Sequence, residues 1–262
     1  MKKNDIKYST RWSLKNRVAL VTGATKGIGR AIAEEFASLG AKLAITSRNQ
    51  SDIDDFVREL IANKVDVIGV KADASKKTDR ERTITSTLEH FGKLDFLINN
   101  AGTNVRKWTM EFSNDEFEFL INTNMKAAFE MCRLSYEHLK KSDYPSIVNI
   151  SSIAGSNIVK TGAPYAMAKA ALSHMSRYLA VEWGPDNIRV NAIEPWYIRT
   201  PLTNVVLENQ EALSKITAKT PLGRYGEAGE ISGLAAFLCM PASSYISGQC
   251  IPVDGAASVY MY

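Results

Sequence analysis

Apolar residues recur along this chain in two alternating rhythms. Short continuous runs rich in Val and Ile predict seven strands covered on both faces: Arg17–Thr22, Lys42–Ser47, Asp66–Ala72, Phe96–Asn99, Ile147–Ser151, Arg189–Ile193 and Cys250–Val253. Longer stretches with helical spacing lie between them. Ile28, Ile32, Phe36 and Leu39 mark one side of such a helix, and Gly40 stops it. Repeated strand–helix–strand units predict an α/β fold with a parallel sheet and helices on both faces.

The chain has 262 residues, 45% of them hydrophobic, enough for an ordinary core without staples. It shows no Pro/Gly-rich linker, low-complexity tract or internal repeat, so residues 1–262 read as one domain behind a short polar arm, 1–14. The stretch 201–220 interrupts the rhythm after the sixth strand. It is helical but weakly patterned, and its place beyond the carboxyl end of a strand suits a substrate lid.

Charge and cysteine content narrow the function classes. A net charge of +4, from 32 basic and 28 acidic residues spread along the chain, speaks against nucleic-acid and membrane partners. Cys132, Cys239 and Cys250 have no metal-ligand spacing and read as buried small hydrophobes in a reducing compartment. His90, His138 and His174 have no ligand spacing either, so no metal site is expected. The polar start, Met1 to Asp5, lacks the apolar run of a secretory signal, and no segment has transmembrane length. A cytoplasmic protein is expected.

The first strand ends in Thr22-Gly23-Ala24-Thr25-Lys26-Gly27-Ile28-Gly29 and leads directly into a helix. Glycines let the backbone approach a pyrophosphate, and the helix N-terminus offers free N–H groups and the positive end of its dipole. A glycine-rich loop without a ligand is the bland alternative; the position between a first strand and a helix favours the dinucleotide. Gly23, Thr25, Lys26, Gly27, Ile28 and Gly29 are the candidate contacts. At the end of the second strand, where an NAD site places an acid, the chain reads Ile45-Thr46-Ser47-Arg48-Asn49, with no acid until Asp52. Arg48 and Lys26 suit a 2′-phosphate, which favours NADP.

Ser151-Ser152 closes the fifth strand, and Tyr165 and Lys169 follow four positions apart, on one helical face. A phenol with a pKa of about 10 is a poor acid–base catalyst at neutral pH, and a nearby ammonium is expected to lower that value. Tyr165 would then protonate a carbonyl oxygen, or take the proton of an alcohol in reverse, with Ser152 hydrogen-bonding the same oxygen.

With these motifs the chain resembles the short-chain dehydrogenase/reductase family from Arg17 to about Gly255. The resemblance implies a doubly wound Rossmann-type sandwich and a nicotinamide cofactor. It adds Asn124 as a fourth catalytic residue, holding a helix backbone so that water connects Lys169 to solvent. It places Asp73 and Ala74 at the adenine, and Asn100, Ala101 and Gly102 beside the cofactor. Tyr165, Lys169, Pro195, Ile198 and Thr200 are further cofactor contacts. It also implies a homotetramer, or a homodimer, built through the last helix, near Glu227–Met240, and the final strand. Phrases such as Arg11-Trp12-Ser13-Leu14 and Ala236-Phe237-Leu238-Cys239-Met240-Pro241 are similar to the tropinone reductase-like subgroup, which implies a small-molecule ketone or alcohol as substrate.

Two departures stand out. The family's Pro-Gly after the sixth strand is Pro195-Trp196 here, so Trp196, with Tyr197, is placed in the substrate pocket, or else packed on 201–220. The usual double glycine near the C-terminus is Gly255-Ala256, where a small backbone adjustment is expected. Competing readings are a 3-oxoacyl-carrier-protein reductase, a sugar-acid dehydrogenase resembling gluconate 5-dehydrogenase, and a silent NADP-binding scaffold or sensor. The first is disfavoured by Glu137 and Val181 at positions where the family's carrier-docking members are basic. The second needs cations such as Arg106, Lys107, Lys160 and Arg199.

Overall fold

The computed structural model describes residues 9–260, so the first eight residues of the expected arm lie outside the described residues. Seven strands form where the apolar runs predict them, three with the expected ends and four with ends shifted by one or two positions. They are β1 (Val18–Val21), β2 (Lys42–Ser47), β3 (Val67–Lys71), β4 (Phe96–Asn99), β5 (Ser146–Ile150), β6 (Arg189–Pro195) and β7 (Cys250–Val253). All pair in parallel, in the order β3-β2-β1-β4-β5-β6-β7. The chain therefore leaves β1 toward one edge and returns to build the other. This reversal between β1 and β4 opens a crevice at the carboxyl ends of the strands.

Strand alternation divides the core in two. Ala19, Val21, Leu43, Ile45, Phe96 and Ile98 point to one face, where α1 (Gly27–Ser38), α2 (Gln50–Ala62) and α9 (Ala228–Cys239) cover them through Ile32, Phe36, Phe56 and Ile231. Val18, Leu20, Ala44, Leu97 and Ile147 point to the other. There α3 (Lys77–Phe91), α5 (Ala127–Leu139) and α6 (Ala163–Glu182) contribute Ile84, Met131, Leu139 and Leu179. Both faces are buried, which is why the strands read as unbroken apolar runs.

α4 (Asn114–Ile121) runs into α5 through a single π-turn at Asn122–Lys126. The stretch 201–220 holds two short helices, α7 (Asn204–Leu207) and α8 (Gln210–Ala218). Past β7, Ala256 takes a left-handed φ of 72°, so alanine keeps a conformation suited to glycine. Asp254 compensates by accepting from the backbone N–H groups of Ala256 at 2.9 Å and Ser258 at 2.8 Å. Among the described residues no helix is long and apolar enough to cross a membrane, and no acid, His and Cys group has a metal-binding arrangement.

Candidate active site

The turn after β1 is shaped by close backbone approach. Gly23 and Gly27 take φ values of 64° and 56°. A Cβ on Gly23 would sit 3.0 Å from the Cα of Ala101, and one on Gly29 would sit 2.3 Å from the Asn100 amide nitrogen. Asn100 holds this turn by donating to the carbonyls of Thr22 at 2.9 Å and Gly23 at 3.0 Å. No side chain caps the start of α1, so the first N–H groups of that helix are left for a ligand. A side chain would fill this cradle, and a backbone that accepts none there fits a pyrophosphate.

The cradle opens into a cleft of about 880 Å³ that runs across the carboxyl ends of β1, β2, β4, β5 and β6. It gathers most of the residues named from sequence. Gly23, Thr25, Lys26, Gly27, Ile28, Gly29, Arg48, Asp73 and Ala74 line one part; Asn100, Ala101, Gly102, Asn124, Ser152, Tyr165, Lys169, Pro195, Trp196, Ile198 and Thr200 line the rest. Tyr197 lies apart, in the wall of an adjoining cavity of about 260 Å³. Its ring meets Trp196 edge-on at 4.6 Å between ring centres.

At the β2 end, Thr25 Oγ1 donates to Ser47 Oγ at 3.0 Å, and Arg48 is exposed. Lys26 Nζ lies 2.7 Å from a carboxylate oxygen of Asp52, in the first turn of α2. The sequence pattern left this corner without a competing acid. Helix α2 turns Asp52 back over the loop and supplies one. Asp73 accepts from the N–H and the hydroxyl of Ser75, at 3.0 and 2.7 Å, and so braces the loop after β3.

At the β5 end, Tyr165 and Lys169 share a face of α6, with the Lys169 ammonium 5.6 Å from the Tyr165 ring centre. Lys169 Nζ donates to the Ile150 carbonyl at 2.8 Å. Burial pushes this amine down to about 8. The Tyr165 phenol is raised: burial dominates, a hydrogen bond from Ser152 and the Arg106 charge pull it down, and Tyr197 pushes it up. Burial outweighs the lowering expected from Lys169, so the phenol stays above its ordinary value. Here Tyr165 is a proton-bearing acid.

Asn124 sits inside the π-turn and is buried. Its amide donates to the Leu120 carbonyl at 2.9 Å, and its oxygen accepts from the Thr103 N–H at 3.0 Å. Gly102 packs between Asn124 and Lys169: a Cβ there would lie 2.9 Å from Asn124 Oδ1 and 3.6 Å from Lys169 Nζ. Trp196 borders the cleft, and its indole N–H donates to Thr220 Oγ1 at 3.1 Å, tying the cleft wall to the residues just past α8.

Sequence reasoning missed Asp52, Thr103 and Thr123, which line the cleft; Leu202 and Thr203, from the 201–220 segment, line it too. Asp52, three positions past the Asn49 cap of α2, was the legible one. Also missed was a buried polar ladder across the sheet: Asn99 donates to Asn149 and Asn149 to Ser176, each at 2.8 Å.

Comparison with known proteins now decides the family. A model described as Enoyl-(Acyl carrier protein) reductase matches residues 23–257. A tropinone reductase homolog of Arabidopsis thaliana is 48% identical over 250 residues, covering 95% of each chain. The chain belongs to the short-chain dehydrogenase/reductase family. Among solved structures, a protein of Agrobacterium tumefaciens provisionally called a gluconate dehydrogenase superposes with a TM-score of 0.91 at 33% identity, covering 95% of this chain and 99% of its own. A 7α-hydroxysteroid dehydrogenase solved with NADH and 7-oxo glycochenodeoxycholic acid has a TM-score of 0.90 at 31% identity, covering 94% and 96%. The protein is thus an oxidoreductase of a family that uses nicotinamide cofactors on small molecules.

Proposed function

We propose that this protein is an NADP(H)-dependent carbonyl reductase, similar to tropinone reductases, interconverting a ketone and a secondary alcohol. The observation that carries the reading is the convergence of Ser152, Tyr165 and Lys169 on the cleft that also contains the glycine cradle. A nicotinamide cofactor bound in this cleft would supply or accept hydride. Tyr165, hydrogen-bonded by Ser152 and kept protonated by burial, gives its proton to the carbonyl oxygen. Ser152 holds that oxygen in place. Lys169, buried on the same helical face, grips the cofactor ribose and completes a proton path braced by Asn124. Lys26 and Arg48 receive the 2′-phosphate, Asp73 and Ala74 the adenine, and Thr200 and Ile198 the nicotinamide side. Trp196 shapes the substrate pocket, with the 201–220 segment as its lid. A homotetramer or homodimer accords with the half-exposed β7, and a cytoplasmic location belongs to the same reading.

One observation favours a second substrate class. The Arg106 charge is felt by both Tyr165 and Tyr197, which suits a keto-sugar acid. A 3-oxoacyl-carrier substrate draws no support from Glu137 and Val181, both exposed and neither basic. A silent scaffold would not need Asn124, Ser152, Tyr165 and Lys169 together. The test is oxidation of NADPH and NADH by the purified protein against bicyclic amino-ketones, simple cyclic ketones, keto-sugar acids and 3-oxoacyl thioesters. NADPH-dependent turnover of a cyclic or bicyclic ketone is expected. Turnover confined to keto-sugar acids would replace it with the second class, and NADPH binding without turnover would favour the scaffold.

A further inference from the structure

Two cavities meet at the end of β6. The cleft of about 880 Å³ and the adjoining cavity of about 260 Å³ share Trp196 and Ile198 in their walls. Ile198 is locked in place. It is 3% exposed, pairs with Gly226 in a short parallel bridge, and packs so closely that a Cβ on Gly226 would lie 2.6 Å from its Cδ1. That leaves the Trp196 ring as the wall between the two spaces.

This ring is held in one orientation. The Trp196 backbone N–H donates to the Val253 carbonyl of β7 at 3.2 Å, and the Gly226 N–H donates to the Tyr197 carbonyl at 2.9 Å. The indole N–H donates to Thr220 Oγ1, whose own hydrogen goes to the Ile216 carbonyl at 2.8 Å. Thr220 is 4% exposed and has no room to turn, since a Cβ on Gly255 would lie 2.7 Å from its Cγ2. An indole tied to so confined a partner is a fixed wall and not a swinging gate.

The cavity behind the ring has a definite chemistry. Tyr197, Leu222, Tyr225, Pro252 and Val253 give it carbon-rich walls. Its charged groups are already engaged: Arg224 meets Glu230 through two contacts of 2.7 and 2.8 Å, and Asp254 accepts the backbone N–H groups of Ala256 and Ser258. Such a space suits an uncharged, mainly apolar group. With the family's glycine in place of Trp196, it would open into the cleft.

We propose that Trp196 is a fixed partition that limits this protein to compact ketones, and that the cavity behind it is a closed-off pocket for an apolar substituent. The proposal rests on the carbonyl-reductase reading and adds to it the size of the ketone. The cleft has to take a dinucleotide as well, so only part of its volume is left for the substrate.

Kinetics with NADPH test this, using cyclohexanone and its 2-, 3- and 4-phenyl derivatives on wild type and Trp196→Gly. The wild type is expected to favour cyclohexanone in kcat/KM by about 10-fold or more. Trp196→Gly is expected to shift that ratio toward at least one phenyl derivative by roughly 10- to 100-fold, the gain from burying one aryl group. An unshifted ratio in the variant overturns the proposal. So does a wild type that reduces a phenyl derivative as well as cyclohexanone, a result that needs no variant to fold. Trp196→Phe keeps most of the ring and is expected to give a much smaller shift; one as large as with glycine would contradict a partition made by ring bulk. Calorimetric titration with the phenylcyclohexanols, without cofactor, separates this proposal from the reading beneath it. Tighter binding to Trp196→Gly than to wild type is expected, and equal binding overturns the partition whether or not hydride is transferred. No NADPH oxidation with any of these ketones, with the binding difference intact, would reject the carbonyl-reductase reading and leave the partition standing.

Discussion

At one end of the cleft, Tyr165 and Lys169 stand on a long helix packed into the core, and Lys169, Ser151 and Asn124 are almost fully buried. At the other end, Lys26 and Arg48 project from loops into solvent, with the Lys26 side chain 60% exposed beside an Asp52 side chain at 25%. The buried end fixes its groups through strand ends, a π-turn and hydrogen bonds without slack, so losing one atom there removes a function. The exposed end works by charge in a high-dielectric setting, where each contact is worth little and an opposing carboxylate can offset a favourable one. On the proposed reading, the chemistry would be all-or-none and the cofactor preference graded.

The contrast can be broken first at Lys169. Lys169→Met is expected to lower turnover by about 10²–10⁴-fold, the range for a group supporting acid–base catalysis. The same change should stabilise the fold. Burial holds Lys169 near 8 against an ordinary 10.5, so the wild type carries a disfavoured ammonium below pH 8. That penalty, at most on the order of 3 kcal/mol, fades as the pH rises from about 8 through 10.5. Urea unfolding at pH 7 and pH 10 checks this: the variant should be the more stable at pH 7, with the gap narrowed at pH 10. A variant less stable at pH 7 would show that the contact with Ile150 outweighs desolvation.

At the exposed end the effects are smaller. Arg48→Ala should weaken NADPH binding by roughly 10-fold, the loss of one solvent-facing charge-assisted contact, and leave NADH nearly unchanged. Fluorescence titration with both cofactors reads this directly, and equal losses would reject the 2′-phosphate role. Smaller still, Asp52→Asn should tighten NADPH by about two- to fivefold at low salt, because it removes a like charge from beside the phosphate site. The gain should shrink as salt is raised. Weaker NADPH binding in this variant would mean that Asp52 mainly holds Lys26 in place.

The same division explains what the sequence could disclose. The strands were legible because both sheet faces are covered and the runs are unbroken, as in Leu43–Ile45. The glycine cradle, Ser152, Tyr165 and Lys169 were legible because close backbone approach and a shared helical face impose fixed residue types and spacings. The pairing of Lys26 with Asp52 was not, since it depends on how α2 turns over the loop after β1. Nor was the raised Tyr165, because spacing shows that a lysine is near but not that burial outweighs it. Trp196 was half legible: its place in the cleft wall follows from alignment with the family's glycine, but its bond to Thr220 depends on where α8 ends.

Tyr165 is where the account is tested most directly. Single-turnover reduction of a ketone by NADPH should be compared in wild type and Tyr165→Phe, with NADPH binding titrated in parallel. Unchanged binding with transfer slowed by about 10³-fold or more is the predicted result. Transfer at near wild-type rate in Tyr165→Phe would contradict the account, because the proton would then come from another group.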